Sequence, residues 1–223
     1  MPGRIVPLVF GQIYHVFNRG IDHRSTFTDR REYQRAYKSM SYYRLCNLPM
    51  SLSKYLRLDN DRKLEMNNLL DKSEKLIEIY SYCFMPNHFH FLLKQVTDDG
   101  ISKFLSNFQN SYTRYFNTKQ ERDGSLFLDQ FKAVRIENDE QLIHVSRYIH
   151  LNPYTGFVIK RVEELLSYEW SSFKEYLTSE KEGITERTLI LSFFPGKEKY
   201  KRFVFDQADY QKKLKEIEHL VFE

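Results

Sequence analysis

Between Leu76 and Leu93 the chain carries two apolar, aromatic-rich runs separated by three residues. The first is Leu76-Ile77-Glu78-Ile79-Tyr80-Ser81-Tyr82-Cys83-Phe84, and the second is His88-Phe89-His90-Phe91-Leu92-Leu93. The link, Met85-Pro86-Asn87, suits a tight turn, because proline presets its own φ and asparagine tolerates turn geometry. The pattern predicts an antiparallel hairpin. A two-stranded ribbon is marginal in water, so other segments must extend the sheet and cover it.

Those segments are legible on either side. Gln12–Asn18 alternates as a strand and stops at Arg19-Gly20. Thr28-Asp29 marks a helix start, and that helix runs to about Leu45. Residues 47–71 are polar and read as an insertion, helical around Arg62–Leu70. After the hairpin, Ile101, Phe104, Leu105, Phe108, Tyr112, Tyr115 and Phe116 recur at intervals of three and four, which predicts a helix. Asp123-Gly124 is a turn, and Phe131–Ile136 is a further strand. Asn138 with Gln141 three places on is a capping pattern for a last long helix. Pro153 is expected to end it. Without the insertion, the first six elements make an α+β, ferredoxin-like βαββαβ arrangement, an antiparallel sheet with helices on one face. The seventh is a C-terminal helix, and residues 177–223 form an extra, helical tail. The expected division is therefore a domain over 1–176 and an extension over 177–223.

Composition excludes several classes. The 223 residues are 41% hydrophobic and 29% charged, with only 8 Gly and 6 Pro, which fits a globular chain and no low-complexity one. No apolar run approaches the ~18 residues of a membrane span, and the start lacks a signal-peptide pattern. Cys46 and Cys83 are too few for a disulfide framework or a four-cysteine zinc site, so a reducing cytoplasm is expected. The net charge of +4 permits a polyanionic partner without requiring one.

The chemistry-bearing residues fall in two places. In a strand, His88 and His90 project to one face while Phe89 and Phe91 project to the other, so two imidazoles can converge on one divalent ion. On the last helix His144, Tyr148 and Asn152 lie at i, i+4 and i+8, on one side, and Leu142, Ile143, Val145 and Ile149 fall largely elsewhere. A cation held by His88, His90 and the Asn152 carboxamide, with the Tyr148 phenol one turn away, makes a site for phosphodiester cleavage.

Five blocks carry a family likeness. Met85–Leu92 resembles the M-P-N-H-x-H-x-L signature of the single-tyrosine HUH transposases, and Ser146–Pro153 resembles their S-R-Y-I-H-L-N-P block. Tyr14–Gly20 is similar to their first strand, Gly124–Phe127 through Phe131-Lys132-Ala133 to their G-x-L-F-x-x-R-F-K-A segment, and Glu169–Phe173 to their W-S-S-Y. The blocks keep family order from about Gly11 to Tyr176, and the REP-associated tyrosine transposases and their relatives are the nearest subgroup. The resemblance implies Tyr148 as nucleophile, His88, His90 and Asn152 as metal ligands, and Mg²⁺ or Mn²⁺ as the ion. It implies single-stranded or hairpin DNA as the partner of a monomer or homodimer, and no membrane. Asn152–Val158 is one residue shorter than the family's N-P-V-x-A-G-L-V.

Arg19, Arg24, Lys103, Arg114, Lys132 and Arg135 are candidate phosphate contacts. Tyr112 and Tyr115 compete with Tyr148 as nucleophile, although they share the apolar periodicity of their helix. A non-catalytic ferredoxin-like nucleic-acid binder is the plain alternative, but it leaves the histidine pair unexplained and lacks the R-G-F-x-F-V aromatic signature. A relaxase would place its tyrosine before the histidines. A rolling-circle initiator shares the order, but no G-x-x-x-x-G-K-[ST] loop is present to accompany it.

Overall fold

The hairpin is formed by β2 (Ile77–Met85) and β3 (His88–Gln95), joined through Pro86 and Asn87 in a computed structural model that describes residues 7–178 and 183–221. The first six residues of the expected signal-free start, and parts of the expected tail, lie outside the described residues. The turn is tied down by its own carbonyl, since Pro86 O accepts from the backbone N–H groups of Thr26 (2.8 Å) and Phe27 (3.0 Å).

β1 (Ile13–Arg19) pairs with β3, and β4 (Lys132–Arg135) pairs with β1, giving one antiparallel sheet in the order β2-β3-β1-β4. This is the ferredoxin-like order, with the first and second strands parallel and the third strand between them. α1 (Arg30–Tyr43) and α4 (Gly100–Lys119) cover one face, over a core that includes Tyr14, Val16, Phe84, Phe89, Phe91, Phe104 and Phe108. Phe89 and Phe91 point into this core, which commits His88 and His90 to the other face.

Helix starts follow their capping residues. The Asp29 carboxylate accepts from Glu32 N at 2.9 Å, and Glu32 accepts in turn from Thr28 N (2.7 Å), Thr28 Oγ1 (2.8 Å) and Lys119 Nζ (2.8 Å). A fully buried carboxylate is thereby supplied with donors at the positive end of α1. The insertion forms α2 (Leu52–Tyr55) and α3 (Asn60–Leu70), with Asp59 as the cap of α3 and Leu64 and Leu69 exposed.

α5 (Asp139–Thr155) starts as the sequence predicts, with Asn138 Oδ1 accepting from Gln141 N at 2.8 Å. It does not stop at Pro153. The proline lies inside the helix and costs one N–H, so only the Ile149 carbonyl loses its usual partner. The helix ends two residues later, where Gly156 N donates to Asn152 O at 2.7 Å. Glycine fits closely there, because a Cβ would come within 2.5 Å of Met85 Cε and 2.9 Å of Asn152 O, and one of them would have to shift.

The second face of the sheet differs from the expected open surface. Its β2–β3 half is covered by α5, by α6 (Phe173–Leu177), and by tail helices α7 (Thr188–Leu191), α8 (Lys197–Phe205) and α9 (Ala208–Val221). Tyr80, Cys83, Met85 and Leu92 from the sheet pack here with Ile149, Phe173, Ile190, Tyr200, Val204 and Ala208. Only the β1–β4 half stays accessible, with Val134 and Lys132 exposed.

A buried polar chain runs through this second core. Ser146 Oγ lies 3.1 Å from Ser81 Oγ and 2.6 Å from the Tyr200 hydroxyl, which lies 2.8 Å from His150 Nδ1. His150 Nε2 is 2.8 Å from Ser172 Oγ, and the Tyr176 hydroxyl donates to Tyr80 O at 2.7 Å. Ser172 Oγ also meets Tyr82 O at 3.3 Å and accepts from Tyr82 N at 2.9 Å. Because Ser172 has a single proton to give to that carbonyl, His150 carries its own proton on Nε2 and accepts from Tyr200 at Nδ1. Complete burial holds His150 neutral, lowering its pKa to about 3. The network stitches β2, α5, α6 and α8 together.

Candidate active site

Register places the site. Opposed residues of antiparallel strands share a face, and β1–β3 pairing sets Phe17 opposite His90 and Arg19 opposite His88, with His15 opposite Leu92. His15, Phe17, Arg19, His88 and His90 therefore project together from the face that α5 half covers. The His88 and His90 rings lie 5.0 Å apart between centroids and perpendicular. Burial accompanies this, since His90 is only 6% exposed and His88 is half-buried.

α5 brings Tyr148 to this group. Its ring meets His90 edge-on at 5.5 Å between centroids and His15 edge-on at 5.8 Å. Asn152, one turn on, is fully buried, and its amide nitrogen donates to Tyr148 O at 2.9 Å. The opposite end of that carboxamide is its oxygen. Two contacts flank Asn152 along α5: Tyr148 stands over His90, and Gly156 stands against Met85, the cross-strand partner of His88. Asn152 lies between these two positions on the same side of the helix. His144, one turn before Tyr148, is turned to Arg147 (2.7 Å) and is exposed.

The other tyrosines lie elsewhere. Tyr112 is fully buried on α4, across the sheet, and its hydroxyl donates to Thr26 O at 2.5 Å. Burial drives its pKa well above the usual phenol value. Tyr115, on the same helix, is half-buried beneath the Arg35 guanidinium. Packing accounts for both.

The basic candidates divide. Arg19 and Arg24 are exposed at the end of the sheet that carries His88, and Lys132, opposite Phe17 on β4, is exposed on the accessible half-face. Lys103 and Arg114 ride on α4, across the sheet. Arg135 pairs opposite Tyr14, so it also points to the α4 side, where it donates to Gln12 Oε1 at 2.8 Å.

No three His, Cys, Asp or Glu side chains converge as a metal group among the described residues. β3 carries two imidazoles whose rings lie 5.0 Å apart, and α5 carries the Asn152 amide one turn beyond Tyr148. Each imidazole has its Nδ1 engaged, His88 at 2.6 Å from Asn87 Oδ1 and His90 at 2.9 Å from His15 Nε2. Histidines that bind metals commonly carry such an outer partner, so this donor set fits a divalent cation. His15 was not among the sequence candidates. Alternation places it on the same face as Phe17, but only the β1–β3 register shows that this face meets His90.

Residues 42–152 match the family model described as transposase IS200 like. The chain belongs to the IS200-like transposase family. The match to this IS200-like domain spans β2, β3, α4, β4 and α5, and so includes His88, His90, Tyr148 and Asn152. β1 with His15 lies outside it. No curated protein matches the chain. Among solved structures, the fold is similar to that of a REP-associated tyrosine transposase bound to a REP hairpin, at 16% identity and a TM-score of 0.54, covering 88% of this chain and 97% of the other. No helix among the described residues is long and apolar enough to cross a membrane.

Proposed function

We propose that this IS200-like family member is a metal-dependent endonuclease and strand transferase for single-stranded DNA, acting at hairpins. Tyr148 is the nucleophile, and His88, His90 and Asn152 hold Mg²⁺ or Mn²⁺. The observation that carries this reading is the Tyr148 ring, set edge-on against His90 by α5. The contact is made within one chain, which supports a site that needs no second copy.

The Tyr148 phenol gives up its proton and attacks the scissile phosphorus. The Oη–P bond forms as the P–O3′ bond breaks, and the departing 3′-oxygen takes up a proton. A 5′-phosphotyrosine remains, and a second 3′-hydroxyl reverses the step, joining new ends without external energy. A bound cation supplies charge withdrawal from the phosphate and stabilises the leaving oxygen. Lys132, Arg19 and Arg24 border the accessible half-face and receive the strand's phosphates. Phe17, half-buried beside His90, offers a ring on which a base can stack. The neighbour's REP hairpin supports a hairpin as substrate.

The test is a labelled hairpin oligonucleotide, drawn from the gene's own flanks, incubated with the full chain and Mn²⁺ or Mg²⁺. A covalent protein–DNA adduct is expected from the wild type and none from Tyr148→Phe. His88→Ala combined with His90→Ala removes cleavage and leaves hairpin binding largely intact. An adduct with Tyr148→Phe refutes the nucleophile.

A further inference from the structure

His90 and His15 form a hydrogen-bonded pair across two strands, with Nδ1 of one 2.9 Å from Nε2 of the other and their rings stacked at 5.1 Å. A neutral imidazole has one N–H and one ring lone pair, so only two arrangements are open. If His15 donates, the proton of His90 sits on Nε2, and that nitrogen cannot bind a cation. If His90 donates from Nδ1, its Nε2 carries the lone pair. The partner of Nδ1 thus selects the nitrogen that coordinates.

The second arrangement is the one that the neighbouring histidine adopts. His88, two residues away, shows the same device in a form that allows one reading only. Its Nδ1 faces the Asn87 carboxamide oxygen, an acceptor, while the Asn87 nitrogen points to His23 O at 3.4 Å. His88 therefore carries its proton on Nδ1. The stack with His90 and the tilted Phe17 ring, 5.0 Å from His15 and 5.4 Å from His90, hold the His15 ring in place. Tyr148 meets both rings edge-on, so a tilt of this pair would also shift the tyrosine.

We propose that His15 is a positioning residue that accepts the Nδ1 proton of His90 and so turns the His90 Nε2 lone pair toward the cation. The proposal rests on the metal reading above, and its test separates the two.

Long-range ¹H–¹⁵N NMR of the full chain, without metal, reads the His90 tautomer directly. Calorimetry with MnCl₂ reads cation affinity. The variants are His15→Leu, which keeps bulk without an acceptor, and His15→Gln, whose carboxamide oxygen can take the same proton; urea melts check that each is folded. The wild type should show the Nδ1–H tautomer at His90. His15→Leu should lose that preference and bind Mn²⁺ about 10–100-fold more weakly, as for other outer-shell partners, and His15→Gln should recover most of the loss. An Nε2–H tautomer in the wild type overturns the proposal. So does Mn²⁺ affinity in His15→Leu within threefold of wild type. Wild-type protein that binds no Mn²⁺ overturns the metal reading itself, and with it any role of His15 toward a cation.

Discussion

Tyr200→Phe removes one oxygen and leaves the ring, so no cavity opens and the cost isolates the polar chain through the second core. The hydroxyl lies 2.6 Å from Ser146 Oγ and 2.8 Å from His150 Nδ1, and all three residues are fully buried. Its loss leaves His150 Nδ1 and Ser146 each one partner short in a fully buried setting. Each buried group left wanting costs about 1–3 kcal/mol. Ser146 keeps Ser81 at 3.1 Å, so its share falls at the low end. The expected total is about 2–3 kcal/mol. With a urea slope of about 2–3 kcal/mol per molar, the unfolding midpoint should drop by about 1 M. Tyr210→Phe, at an exposed position on α9, should change stability by less than ~0.5 kcal/mol. Circular dichroism at 222 nm follows the whole chain, and fluorescence of Trp170, stacked on Tyr33 at 4.9 Å, follows the sheet side. The two curves should coincide and shift together. A midpoint within 0.2 M of wild type would refute the claim that the network binds the tail to the domain, as would a separate early transition for the tail helices in the wild type.

Other perturbations probe different parts. Gly156→Val should cost about 1–3 kcal/mol by overpacking against Met85 and lower the rate of adduct formation, read by thermal melting and by gel shift. The Glu32 carboxyl is pushed up by burial, but hydrogen bonds from Lys119, Thr28 and Gln120 outweigh this and hold it below its ordinary 4.5. Its stabilisation is therefore present above pH 4.5 and fades as pH falls through the lower, folded value. Glu32→Gln should flatten the acid limb of a urea-midpoint profile and cost about 2 kcal/mol at neutral pH. Two imidazoles and an amide suit a borderline ion better than a strictly oxygen-seeking one, so half-maximal cleavage should need roughly tenfold less Mn²⁺ than Mg²⁺. Equal requirements would count against histidine ligation.

The parts of this fold that were legible are those whose signal is local. Alternation and a Pro-Asn turn reveal β2 and β3, and Asp29 and Asn138 reveal the starts of α1 and α5 because a cap is a contact over three residues. Pro153 misleads for the same reason. The local rule holds, but the helix has only two residues left to run and loses one hydrogen bond. His15 was out of reach because a partner on another strand is set by register, which no short window encodes. The covered half of the second face was equally hidden, since Tyr200 is one of 16 tyrosines until Ser146 and His150 are seen beside it. Of the candidate site, the nearness of Tyr148 to His90 follows from how α5 packs on the sheet, which no short window encodes.

The buried chain from Ser81 to Tyr200 also sets a clock on synthesis. β1 leaves the ribosome well before α8, and Ser146 and His150 on α5 lack their Tyr200 partner until α8 has emerged. A nascent chain can complete the hairpin, and even dock Phe89 and Phe91 against α4, while this buried network is still open. The clasp that Tyr200 makes on α5 thus closes late in synthesis, after the sheet that it holds the helix against.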